Sequence, residues 1–215
     1  MKPPLTIAID GPSGVGKGTL AKALAERLAL PYLDTGLLYR AIARKMLDLK
    51  LDSKDKRLIS IAEDLSPEDW NRNDLRSPEV DFASSQIATN PLIRNALLNR
   101  QRSFAKAKGG VLDGRDIGTV VLPQAQVKLY VTASPNVRAE RRWSQNAKEE
   151  DMSKKEQRLK EIKKALLERD RVDETRAVAP LKPAEDAFIL NTDFLTIDEV
   201  VALSLKYIFQ KMNTT

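Results

Sequence analysis

Along the chain, short unbroken apolar runs alternate with stretches in which apolar residues recur every three or four positions. Leu5-Thr-Ile-Ala-Ile-Asp10 is such a run, bounded by Pro4 and Gly11, and predicts a strand buried on both faces. From about Lys17 the period changes, with Leu20, Leu24 and Leu28 four apart, and predicts a helix. Tyr32-Leu33, Val111-Leu112-Asp113, Val127-Lys-Leu-Tyr-Val131 and Phe188-Ile-Leu190 read as further strands. Ser77-Pro78, Asn90-Pro91 and Ser134-Pro135 each place a capping residue before a proline at the first helical position. Thr196-Ile-Asp-Glu199 is a capping box opening a last, amphipathic helix. Its apolar positions Ile197, Val200, Val201, Leu205, Ile208 and Phe209 are expected to form one face.

Strands alternating with helices predict an α/β fold with a mostly parallel sheet covered on both faces. Two stretches break the alternation. Residues 36–95 are helix-rich and polar, and Ser144 to Lys160 is dense in Lys and Glu with no strand signal. Both read as insertions on the rim of the sheet. The second is either a mobile lid or a solvated charged helix, and the charge run alone favours the helix.

Composition narrows the chemistry. A chain of 215 residues suits one domain with small mobile inserts. No run approaches the roughly 18 apolar residues of a membrane span, and Met-Lys-Pro-Pro leads directly into the first strand, so no signal peptide is expected. Cysteine is absent, which excludes disulfides and suits a reducing cytoplasm. Histidine is absent as well, so zinc ligation and histidine acid/base catalysis drop out. The net charge of +6 fits either an anionic partner or a solvated surface with a basic bias, and charge alone favours the second. Sparse, scattered aromatics offer no stacking platform for single-stranded nucleic acid.

The strongest local signal is Gly11-Pro12-Ser13-Gly14-Val15-Gly16-Lys17-Gly18-Thr19, a glycine-rich loop between a strand and a helix. Glycines let the backbone turn its N–H groups onto phosphates, the lysine adds charge, and the helix N-terminus favours the anion. Gly18 separates Lys17 from Thr19, whereas the strict phosphate-loop pattern has the hydroxyl directly after the lysine, so direct magnesium binding by Thr19 is not implied. The spacing does not fit the dinucleotide fingerprint.

Three constellations could serve an acceptor. Asp34-Thr35-Gly36-Leu-Leu-Tyr-Arg40 follows the second strand; Thr35 and Arg40 could share a face, or Thr35-Gly36 could be only a helix cap. Asp113-Gly-Arg-Asp116 stands at a strand's carboxyl end, where open α/β sheets bind ligands, although Arg115 and Asp116 could simply pair with each other. Arg169-Asp-Arg-Val-Asp173-Glu-Thr-Arg176 could line a site or form surface ion pairs.

Taken together, Ile9-Asp-Gly-Pro-Ser-Gly-Val-Gly-Lys-Gly-Thr19, Leu33-Asp-Thr-Gly-Leu-Leu-Tyr-Arg40, Asp113-Gly-Arg-Asp-Ile-Gly-Thr-Val-Val121 and Arg176-Ala-Val-Ala-Pro-Leu181 resemble the bacterial-type cytidylate (CMP) kinases, P-loop nucleoside monophosphate kinases, over nearly the whole chain. The resemblance implies a three-layer P-loop NTPase fold with a parallel sheet, a helical monophosphate-binding insert at about 36–95 and a short lid at about 144–160. The remaining segments, 1–35, 96–143 and 161–215, would be the core. It implies transfer of the ATP γ-phosphoryl group to CMP or dCMP, with magnesium held mainly through nucleotide phosphates and water and no side chain as its direct ligand. Lys17 and the loop from Gly11 to Thr19 would hold ATP, and Lys17, Asp113, Arg115 and Arg176 would be catalytic, Asp113 acting through magnesium and its waters. Arg40, Arg115 and Arg176 would bind the acceptor phosphate and the transferring group, with the hydroxyl of Thr35 nearby. Ser85 (Ser84 being the alternative), Arg94 and Asp116 would read cytosine, and Arg169 and Asp173 the ribose hydroxyls. Arg138, Arg141 and Arg142, beside the lid, are further candidates for phosphate contact. Compared with many members, the β-rich part of the insert is shortened to Asp64–Val80. The implied protein is a monomeric cytoplasmic enzyme of pyrimidine metabolism, without nucleic-acid or membrane partners. The competing readings are a P-loop kinase for another small acceptor and a non-catalytic nucleotide switch or RNA-binding protein.

Overall fold

Five parallel strands build one sheet in the order β2-β3-β1-β4-β5. The computed structural model describes residues 3–146 and 152–214. The strands are β1 (Thr6–Asp10), β2 (Tyr32–Asp34), β3 (Gly110–Gly114), β4 (Val127–Thr132) and β5 (Phe188–Asn191). Each expected strand is present, within about two residues at its ends. The alternation of β1 assigns its two faces. Ile7 and Ile9 pack with Leu20 and Leu24 of α1 (Lys17–Arg27) and with Val200, Val201 and Ile208 of the last helix, α9 (Ile197–Thr214). Ala8 points the other way, into a cluster with Ala105, Leu112, Ile117 and Val121. The small Ala8 leaves room on that face for the loop following β3.

Between β2 and β3 lie α2 (Thr35–Asp48), α3 (Arg57–Glu63), the single turn α4 (Pro67–Trp70), α5 (Pro78–Ile87) and α6 (Pro91–Lys108). The Asp64–Val80 stretch holds α4 and a 3-10 turn at Asn73–Arg76. Asn90 caps α6 through Leu92 N–H at 2.9 Å, and Ser77 accepts from Val80 N–H at 3.3 Å, as the cap-proline pairs predicted. The polar look of 36–95 is misleading. Leu38, Ile42, Met46, Leu58, Val80, Ile87, Ile93 and Leu97 form a fully apolar cluster of their own, separate from the two that flank the sheet. The polar residues between them supply the outer faces of short helices, which a window average cannot separate from a loop.

After β4 come α7 (Pro135–Asn146) and α8 (Lys155–Thr175). The expected lid at 144–160 falls on the end of α7, a 3-10 turn at Met152–Lys154 and the first turns of α8; residues 147–151 lie outside the described residues. In α9 the capping box forms, Thr196 and Glu199 bonding reciprocally at 2.8 and 3.3 Å. Its buried face is narrower than the pattern predicts. Val200, Val201 and Ile208 are buried, but Ile197 and Phe209 are 44% and 51% exposed. Ser204, fully buried and bonded to Val200 O at 2.8 Å, takes part in that face instead.

Gly11, at the end of β1, has φ +146°, and a Cβ there would collide with the carbonyl oxygen of Val131. Gly11→Ala is expected to cost about 2–3 kcal/mol, roughly 5–10 °C in Tm by thermal unfolding. An unchanged melting curve would mean that the β1–β4 seam can open without penalty.

Candidate active site

The carboxyl ends of β1, β2 and β3 open into a cleft of about 630 Å³. Among the described residues, nine Lys or Arg side chains line it against five Asp or Glu, an excess of positive charge that suits a polyphosphate.

One end is the phosphate loop. Ser13, Gly14, Gly16, Lys17, Gly18 and Thr19 line the cleft, while Val15 turns into the hydrophobic core and anchors the loop. Gly16 caps α1 with φ +91°, a left-handed turn that aims the helix N-terminus into the cleft. Arg138 and Arg141, candidates for phosphate contact, donate to the carbonyls of the loop and do not line the cleft. Arg138 donates to Ser13 O at 3.1 Å and pairs with Asp170 at 2.5 Å; Arg141 donates to Val15 O, Thr192 Oγ1 and Thr192 O. Of the three, only Arg142 lines the cleft.

Lys17 Nζ donates to Pro12 O at 2.7 Å. Burial pulls its pKa down, the charge of Arg115 adds to this, and the carboxylates of Asp113 and Asp10 oppose it. Asp113 moves the other way: burial and neighbouring Asp34 raise it, against Lys17 and Arg115. Burial thus works against the charged forms of both, forms that an incoming phosphate and its cation would favour.

The middle of the cleft holds an ion-pair ladder. Arg115 does not pair with its sequence neighbour; its Nε donates to Asp173 Oδ2 at 2.8 Å, joining the β3 loop to α8. Arg176 Nη1 lies 3.7 Å from Asp173, and its Nη2 is buried without a hydrogen-bond partner. Thr35 Oγ1 donates to Asp113 O at 2.8 Å, so its proton is committed to the backbone and only its lone pairs face the cleft. Of the charges in 169–176, Arg169, Asp173 and Arg176 face the cleft, whereas Arg171 pairs with Glu168 on the surface.

The far end is a polar recess of Tyr39, Ser84, Ser85, Arg94, Asp116 and Arg176. Asp116 pairs with Arg94, both almost wholly buried, and Arg94 lies over the Tyr39 ring at 5.6 Å. Ser84 donates to Asp81 O at 2.9 Å, whereas Ser85 Oγ is buried without a hydrogen-bond partner. Of the two serines, Ser85 has the free hydroxyl. All nine residues expected around the acceptor, Thr35, Arg40, Ser85, Arg94, Arg115, Asp116, Arg169, Asp173 and Arg176, line this one cleft.

A family model described as cytidylate kinase matches residues 7–210. The chain belongs to the cytidylate kinase family. Two curated relatives, both named cytidylate kinase, come from Acidiphilium cryptum (52% identical, covering 89% of each chain) and Granulibacter bethesdensis (50% identical, covering 91% of this chain and 92% of the relative). Among solved structures, an uncharacterized protein from Eubacterium ventriosum shares the fold with a TM-score of 0.55 at 16% identity, covering 95% of this chain and 98% of that one.

The structure gives this cytidylate kinase two site-shaping residues that the motifs did not reveal. Asp10 looks like the last residue of a strand. Its buried carboxylate instead accepts from Ile117 N at 2.8 Å and Gly118 N at 2.7 Å, fixing the turn (Ile117–Val121) that follows Asp116. Burial raises its pKa to about 6, although those two N–H groups act to lower it. A carboxylate closing an otherwise apolar buried run was the available signal. The second is Asp81, in the first turn of α5, where an acidic residue reads simply as favourable to the helix dipole.

Proposed function

We propose that this cytidylate kinase transfers the γ-phosphoryl group of ATP to CMP or dCMP, giving ADP and CDP or dCDP. What carries the reading is the recess opposite the phosphate loop, where a buried arginine–aspartate pair stands beside a free serine hydroxyl. A carboxylate accepting from an exocyclic amine, with guanidinium donors to a carbonyl oxygen and a ring nitrogen, matches the cytosine edge; uracil would leave that carboxylate facing a carbonyl.

The acceptor phosphate oxygen attacks the γ-phosphorus in line, the bond to the β-phosphate oxygen breaks, and ADP leaves. No covalent intermediate is needed. Lys17 and the loop amides hold the donor phosphates, Arg115 and Arg176 bear on the transferring group, Arg40 on the acceptor phosphate, and Arg169 and Asp173 on the ribose. Magnesium, entering with ATP, would offset phosphate charge. Asp113, one carboxylate beside Lys17, is a donor set suited to a cation held mainly through phosphates and water. We assign core, insert and lid to the segments expected from the sequence. The enzyme is read as a monomer acting on free nucleotides in the cytoplasm, the lack of cysteine fitting that reducing compartment.

An ADP-release assay with CMP, dCMP, UMP and AMP tests the assignment. CMP and dCMP are expected to be turned over with kcat/KM at least about tenfold above UMP and AMP. Preference for UMP or AMP would move the enzyme to another acceptor. Steeply salt-dependent RNA binding without CMP-stimulated turnover would support a different class altogether.

A further inference from the structure

Asp81 takes three arginines at once. Arg40 of α2 pairs with its Oδ1, Arg169 Nη1 of α8 lies 2.9 Å from the same oxygen, and Arg142 Nη2 of α7 donates to Oδ2 at 2.9 Å. Arg40 and Asp81 belong to the insert, whereas Arg142 and Arg169 belong to the helical pair on the opposite wall. The three arginines line the cleft; Asp81 is not part of its wall. The carboxylate is mostly buried, with its side chain 18% exposed. Burial raises its pKa, but Arg169, Arg40 and Arg142 together bring it below the usual carboxylate range, so it is ionised at neutral pH.

Three guanidinium groups this close repel one another unless an anion stands between them. The guanidinium of Arg169 is not fully used: Nη1 reaches Asp81, whereas Nε is buried without a hydrogen-bond partner. Asp81 is thus the anion that fixes where the three groups sit.

We infer that Asp81 is a positioning residue for the acceptor subsite, drawing Arg40 of one wall together with Arg142 and Arg169 of the other so that the cleft is already narrowed when the acceptor arrives. The inference rests on reading Arg40 and Arg169 as acceptor-binding residues. It differs from a carboxylate that competes with the acceptor phosphate, because a competitor would have to leave the arginines for the acceptor to bind.

The lack of cysteine allows a clean test. Gln86→Cys on α5 and Lys164→Cys on α8 introduce two exposed spin-label sites, one on each wall. Without nucleotide, the pair in the parent background is expected to give one narrow distance distribution by pulsed electron spin resonance. Adding Asp81→Asn should lengthen and broaden it, and CMP alone should restore the narrow form. In kinetics, Asp81→Asn should raise the KM for CMP roughly tenfold while leaving kcat and the KM for ATP within about threefold, and Asp81→Glu should recover most of the loss. Identical nucleotide-free distributions in parent and Asp81→Asn would overturn the inference, as would an unchanged or lowered KM for CMP, the latter being the mark of a competitor. The spin-label measurement needs no turnover. If the parent failed to phosphorylate CMP, the acceptor assignment would fail, while the distance data would still decide what Asp81 does.

Discussion

Lys17→Ala is expected to lower the turnover of CMP by about three orders of magnitude while leaving the Tm within about 5 °C of the parent. Both halves follow from the environment of the ammonium group. Its hydrogen bond goes to a loop carbonyl, and burial and Arg115 both work against its charge. The charge therefore adds little to folding, and Asp113, itself raised by burial, can remain neutral when its partner is gone. Once the donor phosphates are bound, the balance reverses, because a desolvated cation is worth most against charge that builds up during transfer. Steady-state kcat from ADP release, with thermal unfolding of the same sample, checks the two claims. A variant retaining more than about a tenth of parental turnover would take Lys17 out of the transfer step.

The second large effect is at Asp116. Asp116→Ala is expected to lose about 3–5 kcal/mol of stability, because Arg94 would be left buried without its counter-charge. Arg176, whose Nη2 lies 3.9 Å from Asp116, would face the same loss. Lost activity in that variant says little about base recognition. Asp116→Asn keeps the shape and one acceptor oxygen but removes the charge. It is expected to reduce the CMP-over-UMP ratio of kcat/KM by roughly ten- to a hundredfold, with a smaller fall in stability. An unchanged ratio in a folded Asn variant would remove Asp116 from base selection. Chemical denaturation of both variants separates the two roles.

The five strands were legible because a buried parallel sheet writes itself as unbroken apolar runs, and three helix starts were legible because serine or asparagine before proline has few other uses. The glycine loop and Lys17 were equally plain. What escaped has one physical cause: the partner of a buried charge is chosen by topology and not by sequence distance. Arg115 stands next to Asp116 but pairs with Asp173, and Asp116 reaches Arg94. Asp10 finds its donors 107 and 108 positions away. Arg138 and Arg141 were expected beside the lid, and that they reach the carbonyls of Ser13 and Val15 depends on how α7 packs. The exposed Ile197 and Phe209 show the same limit in apolar residues, since helical spacing predicts a stripe and only the neighbouring elements decide its width.

The apolar cluster inside the insert has a consequence for how the protein can change over time. Because that cluster is not shared with the sheet, substitutions within it are expected to reshape the proposed acceptor side without disturbing the seam between β1 and β4 that carries the phosphate loop. On the proposed assignment of the two ends, donor chemistry and acceptor choice would thereby fall under separate mutational control. Asp64–Val80 belongs to the proposed acceptor side too, since Arg76 lines the cleft and Leu75 O accepts from Arg40, so a change of length there would be felt at the acceptor end.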